Sequence, residues 1–234
     1  MKTSEMPIKM RLANKLLLLV LIQLLHIGVF AQTPKAIRYR ITEVGLISIA
    51  PELELIAGKN KKLEDSAQLS MSRLYDYDIY DSRAVFQQKG LNESQPSSLQ
   101  TYVRIIIETF VGKPGEYPKS SSRPAFKPDE LAAYDANFKQ EVVAGFKEQR
   151  TAKTNLSLVK WLGSNTVIVN DKAAIQITYI RQLNDRPPVK VEMYQFFNND
   201  RMHQVILSYR IKDEKQWKPI LAKALSSFQI TNVR

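Results

Sequence analysis

Apolar and polar residues alternate with a period of two along three consecutive segments, residues 173–182, 189–197 and 202–210. The turn-forming sequences LNDRPP and NND separate these segments. Such alternation is typical of antiparallel strands that bury one face and leave the other more exposed to solvent. The sequence therefore predicts a three-stranded antiparallel meander, and the other elements can be placed against it.

Several shorter apolar runs predict additional strands, because they are rich in β-branched residues and bounded by turn residues. These runs are 41–46, 47–50, 84–88, 101–111, 156–162 and 166–169. The β-branched run TYVRIIIETFV is typical of a central strand. Gly163, Ser164 and Asn165 predict a turn between the last two strands.

Helical spacing predicts a long helix that begins at Pro128. Proline suits the first turn, and Asp129 and Glu130 face the positive end of the helix dipole. Apolar residues then recur on one side of the helix, which we expect to cover the sheet. They are Leu131, Tyr134, Phe138, Val142 and Phe146.

Two further helices are predicted, a short one over 61–75 and one near the C-terminus. Asp213 and Gln216 have the spacing of a capping box for the second. Pro219 implies that this helix begins near Gln216 or is kinked. Its apolar stripe consists of Trp217, Leu221, Leu225 and Phe228.

Residues 1–31 have the pattern of a secretory signal, with four basic residues ahead of an apolar run over 16–30. Val29 and Ala31 supply small residues for a cleavage site before Gln32. A retained membrane anchor is the alternative, but the run is shorter than the ~20 residues that a spanning helix needs. We therefore expect export to the periplasm or the medium, no stable membrane span after cleavage, and a single domain over 32–234.

Composition excludes several kinds of chemistry. The chain has no cysteine, so disulfides, thiol catalysis, thiolate metal sites and lipid attachment at cysteine are excluded. His203 is the only histidine after residue 31, and we interpret it as a half-exposed sheet residue and not as a general base. No glycine-rich phosphate loop or G-x-S-x-G motif is present. We expect no catalytic residue, no cofactor and no metal.

Two local compositions have competing interpretations. Asp76, Asp78 and Asp81 alternate as calcium ligands can, but the glycine and glutamate of an EF-hand loop are missing, which favours an acidic turn. Residues 112–128 carry four cations and two aromatic residues, which suit an anionic surface or a nucleic-acid backbone. We favour a solvated loop without nucleic acid.

Removing residues 1–31 takes away four of 34 basic and one of 23 acidic residues, which leaves a moderate net charge of +8.

Six short phrases follow one another in the order of the predicted elements, and they are ISIAP, AVFQQKGL, TYVRIIIETF, VNDKAAIQITYIRQ, VEMYQFFNNDRMHQVILSYR and LSSFQI. These phrases and the order of the elements resemble the PsbP-like superfamily, which includes envelope proteins related to DcrB. The resemblance covers residues 39–230. It implies an α+β fold, an antiparallel β-sheet flanked by helices in an α/β/α sandwich. The superfamily has no catalytic signature, so no residue roles are carried over, and the 112–128 loop departs from its pattern.

These observations favour an exported, non-catalytic interaction or accessory module, a monomer whose partner is an unidentified envelope protein. The alternative is a protein that binds a small molecule or a lipid in a cleft between sheet and helix. The candidate cleft residues are Tyr179, Tyr194, Phe196 and Tyr209. An enzyme that depends on carboxylates ranks third.

Overall fold

The computed structural model describes residues 35–63, 65–66, 83–151 and 153–234. One unit of the chain spans Ala36–Arg234. The predicted signal, the acidic turn with its three aspartates and most of the helix predicted over 61–75 lie outside the described residues. Residues 58–63 are helical, so that helix starts earlier than its apolar spacing predicts.

The described strands form two antiparallel sheets. The small sheet has the order β1-β2-β10, and the large sheet has the order β3-β4-β5-β9-β8-β7-β6. The strands are β1 (Ile37–Ile41), β2 (Gly45–Ile49), β3 (Leu53–Leu55), β4 (Ala84–Gln88), β5 (Val103–Val111), β6 (Leu156–Val169), β7 (Lys172–Leu183), β8 (Val189–Phe197), β9 (Arg201–Arg210) and β10 (Gln229–Ile230). Besides the helical residues 58–63, whose helix borders residues that are not described, the helices are α1 (Pro96–Leu99), α2 (Pro128–Glu148) and α3 (Glu214–Ser227), with a 3₁₀ turn at Ile211–Asp213.

The predicted meander is confirmed. Strands β7, β8 and β9 pair in sequence order, and β5 pairs with β9, which is the middle strand of the large sheet. An α+β fold built on antiparallel sheets is therefore confirmed, and the α/β/α sandwich of the resemblance stays a prediction. Within the described residues, no helix is long and apolar enough to cross a membrane.

The two faces of the large sheet carry different apolar clusters, because alternate residues of each strand point to opposite sides. On β8, Val191 and Met193 belong to one cluster. Tyr194 and Phe196 belong to the other. The same alternation separates Ile206 from Leu207 on β9.

Helix α2 packs on the first of these faces with the stripe that its spacing predicts. Trp161 of β6 donates a hydrogen bond from its indole nitrogen to both carboxylate oxygens of Asp135, at 3.0 Å each. Tyr134 donates its hydroxyl hydrogen to the side-chain oxygen of Gln195 on β8. Helix α2 is therefore attached to the sheet by polar contacts as well as by apolar burial.

Helix α3 and the small sheet contribute to the cluster on the opposite face. Trp217 and Leu221 of α3 are buried there with Ile47 of β2 and Phe86 of β4. The small sheet combines strands from both ends of the domain. Its buried residues thus pack in the same core as residues from the middle of the chain.

Two strand predictions are wrong in their boundaries. Residues 42–44 form a turn between β1 and β2, with Glu43 in the left-handed region (φ 63°), so no strand runs through 41–46. Residues 163–165 lie inside the continuous strand β6, where the pairing with β7 shifts at Trp161 and Gly163. Turn-forming residues at that point produce a β-bulge, since the strand keeps its partner on both sides of them.

The predicted capping box at the C-terminal helix is also wrong. Helix α3 begins at Glu214, and Asp213 makes no side-chain capping bond. Its carboxylate instead accepts a hydrogen bond from Thr101, 2.8 Å away. Asp213 therefore bonds to Thr101, which is distant in the sequence, and not to the first turn of its own helix.

The 112–127 segment is less solvated than we expected. It has no helix or strand, but Tyr117 stacks on Phe197 with ring centroids 6.1 Å apart, and Phe126 stacks on Tyr134 at 5.4 Å. The backbone nitrogen of Tyr117 also donates to the carbonyl of Asn199 at 2.8 Å. These aromatic contacts attach the loop to the sheet.

Candidate ligand-binding cleft

A cleft of about 310 Å³ lies between helix α3 and the large sheet. We call it the tyrosine cleft. Six of the twelve lining residues are apolar, and they are Ile168, Val169, Leu207, Leu221, Ala222 and Leu225. Polar residues complete it, and they are Asn170, Glu192, Tyr194, Tyr209, Lys218 and Ser226. An apolar cavity with a few polar groups is the usual construction of a small-molecule site.

Strand register brings the polar residues of the sheet to this cleft. Glu192 lies opposite Leu207, and Tyr209 lies opposite Lys190, so these side chains share one face of β8 and β9. Tyr194 follows Glu192 by two residues and therefore points the same way. The cleft face is thus determined by alternation along two neighbouring strands.

Asn170 connects one wall of the cleft to the end of helix α3. It lies in the turn between β6 and β7 with φ 44°, a conformation that asparagine tolerates better than most residues. Its side-chain nitrogen donates to the carbonyls of Ser226, at 2.7 Å, and Phe228, at 2.6 Å. The helix end is therefore held beside the turn, which keeps this side of the cleft in place.

Both tyrosine hydroxyls in the cleft bond to carboxylates. Tyr194 donates to Glu192 at 3.3 Å and accepts from the side-chain nitrogen of Gln176 at 3.0 Å. Tyr209 donates to Glu214 at 3.2 Å. Burial, and then the neighbouring carboxylates, raise the pKa of both phenols above its usual value. Both hydroxyls therefore stay protonated at neutral pH and act as neutral polar groups.

The charges around the cleft are paired. Lys190 lies 2.8 Å from Glu192, and Lys218 lies 3.1 Å from Glu214. The hydrogen bond from Lys218 lowers the pKa of Glu214, and the same bond raises the pKa of Lys218. Each pair is neutral overall near pH 7, so the cleft has no strong net charge.

This arrangement is chemically suited to binding. Its apolar walls accept a hydrophobic group, and its hydroxyl and carboxylate oxygens can bond to a polar end of the same molecule. Among the described residues, no group of three or more histidine, cysteine, aspartate or glutamate side chains is placed to hold a metal ion.

The structure brings together two of the four residues proposed for a cleft. Tyr194 and Tyr209 both line the tyrosine cleft. Tyr179 lies on the opposite face, stacked on Trp161 with ring centroids 5.8 Å apart. Phe196 is on the correct face but is 1% exposed and packs against Phe228 in the core. The prediction of a cleft lined by all four residues is therefore wrong.

Sequence reasoning missed the charged residues of the cleft and the helix that closes it. Glu192 could have been found, because strand alternation places it on the same side as Tyr194. Lys218 and Glu214 could not, since the position of α3 against β8 and β9 depends on tertiary packing. Leu221 and Leu225 belong to the predicted apolar stripe of this helix, and they contact both the core and the cleft.

The interpretation of His203 as half-exposed is wrong. Its side chain is fully buried, with Nδ1 2.9 Å from the hydroxyl of Thr109 and Nε2 3.3 Å from the side-chain nitrogen of Asn198. Burial, followed by the positive charge of Arg201, lowers the pKa of His203 to about 4. The ring is neutral at physiological pH and does not line the tyrosine cleft.

No family model matches the chain, and no curated protein matches it. Among solved structures, the chain is similar to the solution structure of cyanobacterial PsbP (CyanoP) from Synechocystis sp. PCC 6803. The two share 10% identity, with 87% of this chain and 96% of that chain covered and a TM-score of 0.44. At this level the likeness concerns the backbone alone and assigns no residue a role.

Proposed function

We propose that this protein is an exported, non-catalytic binding protein whose tyrosine cleft holds a small amphipathic molecule. The observation that carries the proposal is an open apolar cleft of about 310 Å³ with two protonated tyrosine hydroxyls and paired charges. Leu221 and Leu225 of α3 would contact the apolar part of the ligand. Tyr194 and Tyr209 would hydrogen-bond its polar end.

The proposed absence of catalysis is supported by the location of the chain's reactive groups. His203, the only histidine after residue 31, is buried with both ring nitrogens in contact with Thr109 and Asn198. A general base must reach the proton that it removes, within about 2.6–3.2 Å. Glu192, which lines the cleft, and Glu214, which lies beside it, are already paired with lysines, and this favours a structural or binding role for both carboxylates.

Export and membership of the PsbP-like superfamily belong to the same proposal. The basic and apolar pattern of residues 1–31 supports export. The phrases ISIAP, AVFQQKGL and LSSFQI, together with the order of elements around the meander, support the superfamily and its α/β/α sandwich.

Ligand binding can be tested with a neutral apolar dye, N-phenyl-1-naphthylamine, whose fluorescence rises in apolar sites. Ala222 is exposed and lines the cleft, so Ala222→Trp should fill the cleft without disturbing the core. Ala133 is an exposed alanine on helix α2, and Ala133→Trp is the matched control. We expect saturable binding to the wild type and to Ala133→Trp, and at least a tenfold loss of affinity in Ala222→Trp. Equal binding by all three proteins would contradict the assignment of the cleft.

A second candidate function, an interaction module for an envelope protein, is favoured by strand β6. This strand is at the edge of the large sheet and exposes three apolar side chains, Val159 at 51%, Leu162 at 42% and Ile168 at 54%. An edge strand can pair with a strand of another protein, and exposed apolar side chains add contact area. A photo-crosslinking residue at Val159 should then capture one protein from the envelope fraction. The same residue at exposed Lys215 of α3 should not capture it.

A further inference from the structure

Three neighbouring strands place two arginines on the face of the large sheet that helix α2 packs against. Arg181 of β7 lies opposite Val189 of β8, and Val189 lies opposite Arg210 of β9. Because strands are separated by about 4.8 Å, the two arginine backbones are roughly 10 Å apart across one row. Tyr179 and Val191 form the neighbouring pair on the same face, and both belong to the cluster that α2 covers. The arginine row therefore begins where the helix stops.

A pocket of about 360 Å³ is formed at this position, and we call it the arginine pocket. Gln149, at the C-terminal end of α2, contributes to its lining. Four arginines line it, and they are Arg104, Arg181, Arg186 and Arg210. Leu156, Leu183, Pro187 and Val189 add apolar walls. Among the described residues that line the pocket, none is acidic.

Contacts with neighbouring groups hold three of the arginine side chains of this pocket in place. Arg181 donates a hydrogen bond to the hydroxyl of Tyr102 at 3.5 Å. Arg210 donates a hydrogen bond to the carbonyl of Gln100 at 2.9 Å. Arg104 lies over the ring of Tyr102, with the guanidinium carbon 6.0 Å from the ring centroid. Cations positioned in this way are preorganised, which reduces the conformational entropy lost when a ligand binds.

The charge of the arginine pocket points to a complementary ligand. Arg181, Arg186 and Arg210 place three positive charges around one apolar pocket, and an anionic ligand would reduce the repulsion among them. Their planar guanidinium groups bond to carboxylates and phosphates through two parallel hydrogen bonds. We propose that the arginine pocket binds an oxyanion, a phosphate or a carboxylate, carried on a small apolar group that contacts Val189 and Leu183. This site is on the opposite face of the sheet from the tyrosine cleft and does not depend on it.

The probe for this site is phenyl phosphate, which combines one phosphate with one apolar ring, measured by isothermal titration calorimetry with the mature chain. The test variant is Arg181→Gln/Arg210→Gln. The control Arg123→Gln/Lys127→Gln removes two positive charges from the exposed part of the 112–127 segment. We expect the test variant to lose at least tenfold in affinity and the control to lose less than twofold. Equal losses, or no binding of phenyl phosphate by the wild type, would overturn the proposal.

Arg186 provides a test that does not depend on the folding of the double variant, because it is exposed in the turn between β7 and β8. Without ligand, Arg186→Gln should not lower the melting temperature, since it removes a like charge. Added phenyl phosphate should raise the melting temperature of the wild type more than that of Arg186→Gln. A lower melting temperature in Arg186→Gln, with the same response to phenyl phosphate as the wild type, would contradict ligand binding.

The oxyanion can come from a soluble molecule or from a lipid headgroup, and vesicles distinguish these sources. Cosedimentation with phosphatidylglycerol vesicles but not with phosphatidylcholine vesicles, lost in Arg181→Gln/Arg210→Gln, assigns a lipid headgroup. Binding of phenyl phosphate without any preference between the vesicles assigns a soluble ligand. Both outcomes support the oxyanion site.

Discussion

The indole nitrogen of Trp217 lies 2.7 Å from the hydroxyl oxygen of Thr101 and donates a hydrogen bond to it. The same hydroxyl donates to the carboxylate of Asp213, 2.8 Å away. Trp217 is 2% exposed, so its nitrogen has little access to water. Thr101 lies just before strand β5, and these two bonds connect it to the start of α3.

Replacing Thr101 with valine should destabilise the protein. Thr101→Val keeps the shape of the side chain but leaves the buried indole nitrogen without its acceptor, which costs about 1–3 kcal/mol. Thr101→Ser keeps the hydroxyl and should cost less than half as much. Urea denaturation followed by circular dichroism measures both values. A loss in Thr101→Ser equal to that in Thr101→Val would show that the methyl group and not the hydroxyl is responsible.

His203 should make stability depend on pH between about 4 and about 6.5. Its pKa is about 4 in the folded protein, below the unfolded value of about 6.5, so the unfolded chain binds more protons in this range. The stabilisation is complete above pH 6.5 and is lost as the pH falls towards 4, by roughly 3 kcal/mol at most. Denaturation at several pH values should give a shallower slope for His203→Gln than for the wild type, after the constant offset of the substitution is removed. Parallel slopes would mean that His203 titrates normally.

Two glycine substitutions should have opposite signs. A Cβ on Gly45 would lie 1.8 Å from the carbonyl oxygen of Gln229, so Gly45→Ala forces β2 and β10 apart. We expect a loss of at least about 2 kcal/mol. A Cβ on Gly145 of helix α2 meets nothing within 4 Å, and Gly145→Ala should stabilise by about 0.5–1 kcal/mol. Thermal denaturation of both variants measures the difference, and a harmless Gly45→Ala would contradict the β2–β10 pairing.

The two tryptophans should report different environments. Trp217 is buried, whereas Trp161 is half-buried beside helix α2. In Trp161→Phe, the remaining Trp217 should emit at short wavelength and be poorly quenched by acrylamide. In Trp217→Phe, the remaining Trp161 should be quenched more strongly. Equal quenching in the two variants would contradict the packing of α3 on the sheet.

Regular patterns in the sequence predicted the regular elements well. The strand predicted over 189–197 has these limits in the structure, and helix α2 begins at Pro128 as expected. These elements are long, and their apolar residues repeat with one period. The prediction failed at Gly163 and Asp213, because each has a local turn or cap preference that pairing or tertiary contacts override.

The candidate cleft was predicted only in part for a related reason. Alternation along β8 and β9 shows that Tyr194 and Tyr209 can each line one face, but the register between strands decides that they share it. Tyr179 has a similar local pattern on β7 and points to the other side. A shift by one residue moves every side chain of a strand to the opposite face.

The antiparallel meander, the long helix with its apolar stripe and the absence of cysteine chemistry can all be predicted from the sequence alone. These depend on residue type and on short-range periodicity. Three other features depend on how the chain folds in space: Arg181 and Arg210 share a pocket, His203 is buried, and α3 closes a cleft over Tyr194 and Tyr209. Such contacts join residues that are distant along the chain, and they form because the faces of the sheet must be covered by whichever apolar surfaces fit them.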